Sequence, residues 1–314
     1  MTRPEILTLA PLAADLTATL EATYAVHHLW RAPDRDALLA AIGPTIRAAA
    51  TTGHVPCPPA LLEALPNLRL LASFGVGYDA IDVKALAARG VAVTNTPEVL
   101  NDAVAEITIG MMIALARDIL QADGHVREGR WPSGNYPLTS QLTGSRVGIL
   151  GLGRIGRRIA ELCAGFRMEI AYHGRREQPD QPYRYYSDLV DMAHAVDWLV
   201  VIAPSTPQTV GIVSRRVLEA LGSKGRLVNV ARGNLVDEAA LVDLLVSGRL
   251  GGAALDVFVN EPRVPEALFA LKNVVLQPHQ GSATKVTRRA MGDLVAKNIA
   301  AFFAGQPLLT PVTS

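Results

Sequence analysis

The chain has 314 residues, 49% of them hydrophobic and 19% charged, with a formal net charge of +1. That length can bury a large core and points to two domains. Charges are spread evenly, with no basic block and no basic–aromatic interleaving, which excludes a dedicated nucleic-acid binder.

In chain order, short apolar runs read as strands at Glu5–Ala10, Thr23–Leu29, Ile46–Thr52, Arg69–Phe74 and Val91–Thr94. Helical patterns alternate with them at Leu12–Leu20, Arg35–Ile42, Pro59–Leu65 and Val83–Arg89. This alternation predicts a flavodoxin-like parallel α/β domain. The first strand leaves no charged segment followed by a signal-peptide core. From Asp102 to about Arg127, apolar positions such as Val104, Ile107, Met111 and Leu115 recur at helical spacing and predict one long helix. Its longest apolar run, Ile107–Ala116, is too short to span a bilayer, so a soluble cytoplasmic protein without membrane contact is expected. An irregular stretch with Trp131, Pro132, Gly134 and Pro137 follows. Six further strands are predicted: Val147–Leu150, Ile170–Tyr172, Trp198–Ala203, Leu227–Ala231, Gly252–Val257 and Val274–Gln277. They compose a Rossmann domain. A last helix, Lys285 to about Ala304, is long enough to return to the first domain. The expected organisation is therefore α/β: residues 101–284 are a dinucleotide-binding Rossmann domain inserted in a smaller substrate domain of residues 1–100 and 285–314. The cleft between them is the default active site. Cys57 and Cys163 lie far apart and outside any CxxC, so neither a disulfide nor a metal site is expected.

The most specific local signal is Gly151-Leu152-Gly153-Arg154-Ile155-Gly156, between the apolar run Arg146–Leu150 and a helix predicted over Arg157–Phe166. In that setting Gly151 makes a tight turn, Gly153 lets backbone approach a pyrophosphate, and Gly156 lets helix pack on strand. The helix N-terminus offers N–H groups to the phosphates. A site selective for NAD usually carries Asp or Glu about 20 residues after the first glycine, to bond the ribose 2′-OH. Here Gly174-Arg175-Arg176 occupy that place, and no carboxylate precedes Glu177. A guanidinium suits a 2′-phosphate, so NADP(H) is expected, held by Arg175 or Arg176, with NAD(H) the weaker alternative.

Three polar residues follow late strands, at the sheet edge where open α/β folds bind ligands: Arg232, Glu261 and His279. Beside a nicotinamide they fit reduction of a ketone. A histidine can supply the proton, a carboxylate behind it orients the ring and favours imidazolium, and a forked guanidinium can orient a 2-keto acid and polarise its carbonyl. Gly75 and Gly77 free the backbone after a strand, so the N–H groups of Val76 and Gly77 could hold the substrate carboxylate. Asp82 is expected to cap the next helix.

The chain resembles the D-isomer-specific 2-hydroxyacid dehydrogenases, and within them the glyoxylate/hydroxypyruvate reductases. The resemblance runs through Ser73–Asp82, Asn95-Thr96-Pro97 leading to Val104-Ala105-Glu106, Gly151–Gly156, Val230–Gly233 with Val236-Asp237-Glu238, Ala254–Phe258 with Glu261-Pro262, and Pro278-His279 with Gly281–Thr284. It implies catalytic roles for Arg232, Glu261 and His279, and a contact from Asp256 to the nicotinamide carboxamide. It implies that Leu152–Ile155 line the pyrophosphate and adenosine, and that Ala203, Pro204, Val230, Ala231 and Gly281 border the cofactor. It also implies a homodimer joined through the Rossmann domain and an arm over 118–142, where Trp131 either reaches the partner's site or packs at the interface. Tyr172–Arg175 resembles NADPH-linked reductases more than NAD-linked phosphoglycerate dehydrogenases, and no C-terminal regulatory domain is expected after Ser314. Glyoxylate and hydroxypyruvate are the expected substrates. Bulkier, phenylpyruvate-like keto acids are the alternative, and a cofactor-sensing scaffold is the reading from another class. His54 either faces the pocket or is an exposed loop residue.

Overall fold

The structure is a computed structural model, and it describes residues 3–312. The first compact unit runs to Leu100 and resumes at Thr284, and the second comprises Asn101–Ala283. The resumption at 284 lies one residue before the expected 285.

In the first unit, β1 (Glu5–Thr8), α1 (Ala14–Thr23), β2 (Ala25–His28), α2 (Arg35–Ile42), β3 (Ala48–Thr52), α3 (Pro59–Ala64), β4 (Leu70–Phe74), α4 (Val83–Ala88) and β5 (Ala92–Thr94) alternate along the chain. The strands form a parallel sheet in the order β2-β1-β3-β4-β5. That is the flavodoxin-like order, with its switch point between β1 and β3. Strands covered on both faces need continuous apolar runs rather than alternation, and β4 is buried at every position from Leu70 to Phe74. Asp82 caps α4, its carboxylate accepting the Ala85 N–H at 2.9 Å, as expected.

The second unit begins with α5 (Asn101–Ala116) and α6 (Ile119–Arg127). The single helix expected here is thus broken. Asp118 sits in the left-handed region at φ 49°, a conformation Asp tolerates better than most residues. The Ala116 carbonyl, which a continuous helix would use, instead accepts the Ser140 N–H at 3.0 Å. Then follow β6 (Arg146–Leu150), α7 (Arg154–Gly165), β7 (Glu169–His173), β8 (Arg184–Tyr185), α8 (Leu189–Ala195), β9 (Trp198–Val201), α9 (Arg215–Leu221), β10 (Arg226–Asn229), α10 (Glu238–Val246), β11 (Gly252–Leu255) and β12 (Val274–Leu276). The helix after the glycine loop starts at Arg154, three residues earlier than expected. The parallel sheet has the order β12-β11-β10-β9-β6-β7-β8, which is the Rossmann order extended by one strand at the β12 edge. Sequence reading missed β8, because two residues are too few to show a pattern. Its pairing is Ala171 with Arg184 and Tyr172 with Tyr185. The last helix, α11 (Lys285–Phe303), belongs to the first unit, and Thr284 caps it by accepting the Thr287 N–H.

The core of the second unit includes Trp198, Leu199, Val200 and Val201, each at most 1% exposed. α5 buries Val104, Thr108, Met111, Met112 and Leu115, and Leu115 lies where a side chain on Gly252 of β11 would stand. Among the described residues no helix is long and apolar enough to cross a membrane.

Cys57 and Cys163 are free and buried. Burial pushes their thiols up, to about 11 for Cys57, against the pull of Arg89, and to about 12 for Cys163. Since the thiolate is the reactive form, neither should react with a thiol reagent near neutral pH in the folded protein, and both should react after unfolding. Rapid labelling of the native protein in a colorimetric thiol titration would contradict this.

Candidate active site

The parallel register brings the C-terminal ends of the second sheet's strands to one edge. β6 ends in Gly151–Gly153, β7 in Gly174–Arg176, β9 in Ala203-Pro204, β10 in Val230–Arg232, β11 in Asp256 and β12 in Pro278–Gly281. Every second-unit residue singled out for a dinucleotide or for catalysis therefore lies on that edge, in a loop after it or, for Arg154, Ile155 and Gly156, in the first turn of α7.

The glycine loop is shaped by close approaches. Gly151 adopts φ 102°, and a Cβ there would stand 2.7 Å from the Ala203 backbone. A Cβ on Gly156 would stand 2.2 Å from the Gly151 carbonyl oxygen. A Cβ on Gly153, the N-cap of α7, would meet nothing within 4 Å. The first and third glycines are thus filled by protein, and the second leaves open backbone at a helix N-terminus. These residues fit a pyrophosphate. Leu152 is buried, Ile155 is half-buried and Arg154 is exposed. Arg175 and Arg176 are exposed just past β7. Sequence reading missed Gln178, which ties this basic loop to the glycine loop. Its side chain donates to the Leu152 carbonyl at 3.0 Å and accepts from Arg157 at 2.7 Å, and its N–H donates to the Tyr172 hydroxyl at 2.7 Å. A lone Gln in a polar loop carries no sequence signal for such a role.

Glu261 and His279 meet. Glu261 Oε2 lies 2.7 Å from His279 Nδ1, and each side chain is about one-third exposed. The other oxygen, Oε1, accepts the Phe258 N–H at 3.0 Å. His279 has φ 55°, a left-handed conformation that costs a non-glycine residue about 1–2 kcal/mol. Asp256 holds it there: its carbonyl accepts the His279 N–H at 2.9 Å, and its carboxylate accepts the N–H groups of Gln280 at 2.6 Å and Gly281 at 2.8 Å. Asp256 is 1% exposed. Burial pushes its carboxyl above the usual carboxylate range, against the pull of those two N–H groups and of His279.

Arg232 stands on a turn fixed by Asn229, which is 1% exposed. The Asn229 amide donates to the Arg232 carbonyl at 2.9 Å and accepts the Ala231 N–H at 3.1 Å. Val230 and Ala231, within this clamp, are buried. Next to Arg232, a Cβ on Gly233 would stand 2.0 Å from the Phe258 carbonyl carbon. Val259, one residue on, donates its N–H to Glu238 at 3.1 Å. The 258–259 peptide is thus pressed on Gly233, and the backbone on either side of the Phe258 Cα is held by a carboxylate, Glu261 at the Phe258 N–H and Glu238 at the Val259 N–H. Asn229, Gly233 and Glu238 were invisible as site residues in the sequence, because each acts on backbone.

Val76 and Gly77 lie in the first unit, in the loop after β4. Gly53 packs on that loop: a Cβ there would stand 1.8 Å from the Gly77 carbonyl oxygen. His54, in the same turn, is exposed. Trp131 is 61% exposed, in a single 3-10 turn (Trp131–Ser133) beyond α6. Among the described residues, no group of three or more His, Cys, Asp or Glu could hold a metal ion.

The family model for the D-isomer specific 2-hydroxyacid dehydrogenase NAD binding domain matches residues 109–281. Hydroxyphenylpyruvate reductase of Plectranthus scutellarioides is 46% identical over 307 residues, covering 98% of each chain. Glyoxylate/hydroxypyruvate reductase A HPR2 of Arabidopsis thaliana has the same identity and coverage. The solved NADPH-dependent glyoxylate/hydroxypyruvate reductase of Sinorhizobium meliloti, in complex with NADP and malonate, superposes with a TM-score of 0.92 at 43% identity, over 99% of this chain and 97% of that one. The chain belongs to the D-isomer-specific 2-hydroxyacid dehydrogenases. It is an oxidoreductase, and its second unit contains the family's NAD-binding domain.

Replacing Gly233 by Ala forces a methyl group into the Phe258 backbone. Overpacking of this kind costs about 1–3 kcal/mol. Thermal unfolding of Gly233→Ala should show the loss, accompanied by reduced turnover because the displaced Phe258 also donates its N–H to Glu261. An unchanged midpoint with full activity would mean that this peptide is free to move.

Proposed function

We propose that the protein reduces small 2-keto acids, glyoxylate and hydroxypyruvate foremost, to 2-hydroxy acids with NADPH. The observation that carries the reading is the 2.7 Å contact of Glu261 with His279 Nδ1 at the ligand-binding edge of a dinucleotide-binding sheet. The bound dinucleotide would supply the hydride. Gly151–Gly156 would hold its pyrophosphate, Ala203, Pro204, Val230, Ala231, Asp256 and Gly281 would border the cofactor, and Arg175 or Arg176 would take the 2′-phosphate.

The rest is the work of side chains. The Val76 and Gly77 N–H groups bind the substrate carboxylate. Arg232 orients the keto acid and draws charge onto its carbonyl oxygen. Glu261 fixes the imidazole through Nδ1, so His279 delivers the proton from Nε2 on the opposite side of the ring. Asp256 keeps the loop carrying His279 in its left-handed turn. A second reading, larger keto acids such as hydroxyphenylpyruvate, is favoured by the name of the Plectranthus scutellarioides relative. A methylene more or less in an apolar pocket discriminates by only about 1–3 kcal/mol, so one site can serve both.

The protein acts as a homodimer in this reading. Ile119, Leu120, Val126, Trp131 and Leu138, along the 118–142 arm, are each at least 46% exposed, and exposed apolar patches of this kind mark interfaces. Two buried free thiols suit a reducing compartment such as the cytoplasm.

The experiment that tests the proposal is reduction of glyoxylate and hydroxypyruvate with NADPH and NADH compared side by side. NADPH should give the higher kcat/KM. Arg175→Ala with Arg176→Ala should raise the KM for NADPH roughly tenfold or more, as loss of charged hydrogen bonds implies, with little change for NADH. Preference for NADH in the parent protein would overturn the cofactor assignment.

His279→Ala should lower kcat by about 10²–10⁴, the usual share of general acid–base catalysis. In the parent protein, reduction needs the protonated imidazole and oxidation of the hydroxy acid the neutral one, so the two rates should respond to pH in opposite directions. Flat profiles in both directions, with chemistry rate-limiting, would remove His279 from the role.

A further inference from the structure

The loop Gly75-Val76-Gly77 is aimed from behind. A trans peptide points its C=O and its N–H in opposite directions, so whatever holds a carbonyl also aims the next residue's N–H. The Gly75 carbonyl accepts the Thr96 N–H at 2.9 Å, and the Gly75 N–H in turn donates to Thr96 Oγ1 at 3.1 Å. The Val76 carbonyl accepts the Asn95 side-chain amide at 2.9 Å. Two consecutive carbonyls are therefore drawn toward residues 95–96. The N–H groups of the same two peptides, those of Val76 and Gly77, point away from that segment.

Asn95 is itself anchored. Its carbonyl accepts the Thr310 hydroxyl at 2.7 Å, and its N–H donates to the Thr310 carbonyl at 3.4 Å. Thr310 Oγ1 accepts from the Asn298 amide at 2.9 Å. Asn298 lies on α11, is fully buried, and its Oδ1 accepts the Leu309 and Thr310 N–H groups at 2.9 and 3.2 Å. Thr94 bridges Pro311 antiparallel, and the Val312 N–H donates to the Val93 carbonyl at 2.8 Å. The segment around Thr310 thus runs along the end of β5 as a brace, pinned to α11 by one buried amide. Buried amides with their hydrogen bonds satisfied rigidify what they join.

We infer that Asn95 is a positioning residue for substrate binding, and that Asn298 and Thr310 form the brace that holds it, so that the loop presents two N–H groups side by side to a carboxylate. The inference rests on the reading of Val76 and Gly77 as the carboxylate donors. It gives the Asn95-Thr96 dipeptide a task distinct from the chemistry of Arg232, Glu261 and His279.

The test combines steady-state kinetics with amide hydrogen exchange of the segment 75–78. Asn95→Ala removes the donor to Val76, and Thr310→Val removes the hydroxyl while keeping the shape. Thr310→Ser, which keeps the hydroxyl, is the rescue. Asn95→Ala and Thr310→Val should raise the keto-acid KM about five- to tenfold, the scale of one well-placed hydrogen bond. They should leave the KM for NADPH within about twofold and speed exchange at 75–78, and Thr310→Ser should restore both readouts. Faster exchange with an unchanged keto-acid KM would overturn the carboxylate reading of the loop, and the substrate role of Asn95 with it. Unchanged exchange together with an unchanged KM would overturn the brace itself. A general loss of stability that raises both KM values alike would also overturn the positioning role.

Discussion

One carboxylate, that of Glu261, joins the imidazole of His279 to the backbone of another strand's loop. Oε2 meets His279 Nδ1, and Oε1 accepts the Phe258 N–H. The ring orientation therefore depends on where the backbone of Phe258 sits. The peptide that follows, 258–259, is pressed on Gly233, beside Arg232, and its Val259 N–H is taken by Glu238 at the start of α10. A single rigid patch of backbone thus sets the distances among the loops after β10, β11 and β12. Strand ends of a parallel sheet arrive at one edge by topology alone, but topology places loops to within several ångströms. The last ångström comes from these carboxylates and from the absence of a side chain at residue 233.

The same economy recurs at Asp256. A buried carboxylate is costly unless it is hydrogen-bonded, and here both oxygens accept backbone N–H groups from the segment after His279. Those bonds offset the strain of a histidine at φ 55° and counter only in part the upward push that burial gives the carboxyl. Over-determined strain of this kind is a common mark of a functional site.

The sequence was informative wherever chemistry is local. The strand–glycine loop–helix pattern, the alternation of elements, and the polar residues after β10, β11 and β12 could all be read, because each is encoded by a few adjacent residues. Legibility failed in two ways. Asp118 interrupts an otherwise helical pattern because Ser140, more than twenty residues later, takes the Ala116 carbonyl. β8 is two residues long and is defined only by its pairing with β7, Ala171 with Arg184 and Tyr172 with Tyr185. Both are tertiary effects that override local periodicity. Asn229, Gln178, Glu238 and Asn95 escaped notice as site residues for a related reason. Each uses a side chain to fix another segment's backbone, and nothing in an isolated Asn, Gln or Glu declares which peptide it will hold.

That failure has a direction. Residues that touch a ligand must offer particular chemistry, so they stand out by type: Arg, His, a glycine run. Residues that aim backbone need only one donor or one acceptor at the right distance, and many polar residues meet that need. In the first unit this division is complete. The expected carboxylate donors are main-chain N–H groups with no side-chain signature at all, and their direction is set by Asn95 and Thr96 acting on carbonyls behind them. Binding by main chain confers rigidity, since a peptide held at its carbonyl has little freedom left at its N–H. It also makes the loop depend on whatever holds the holder. Here that is Thr310 and the buried Asn298 of α11, more than 200 residues further along the chain. The return of the chain to the first unit after its excursion through the second is thus more than a connection. It supplies the hydroxyl and the amide without which the first unit's loop would have its glycines but not their orientation.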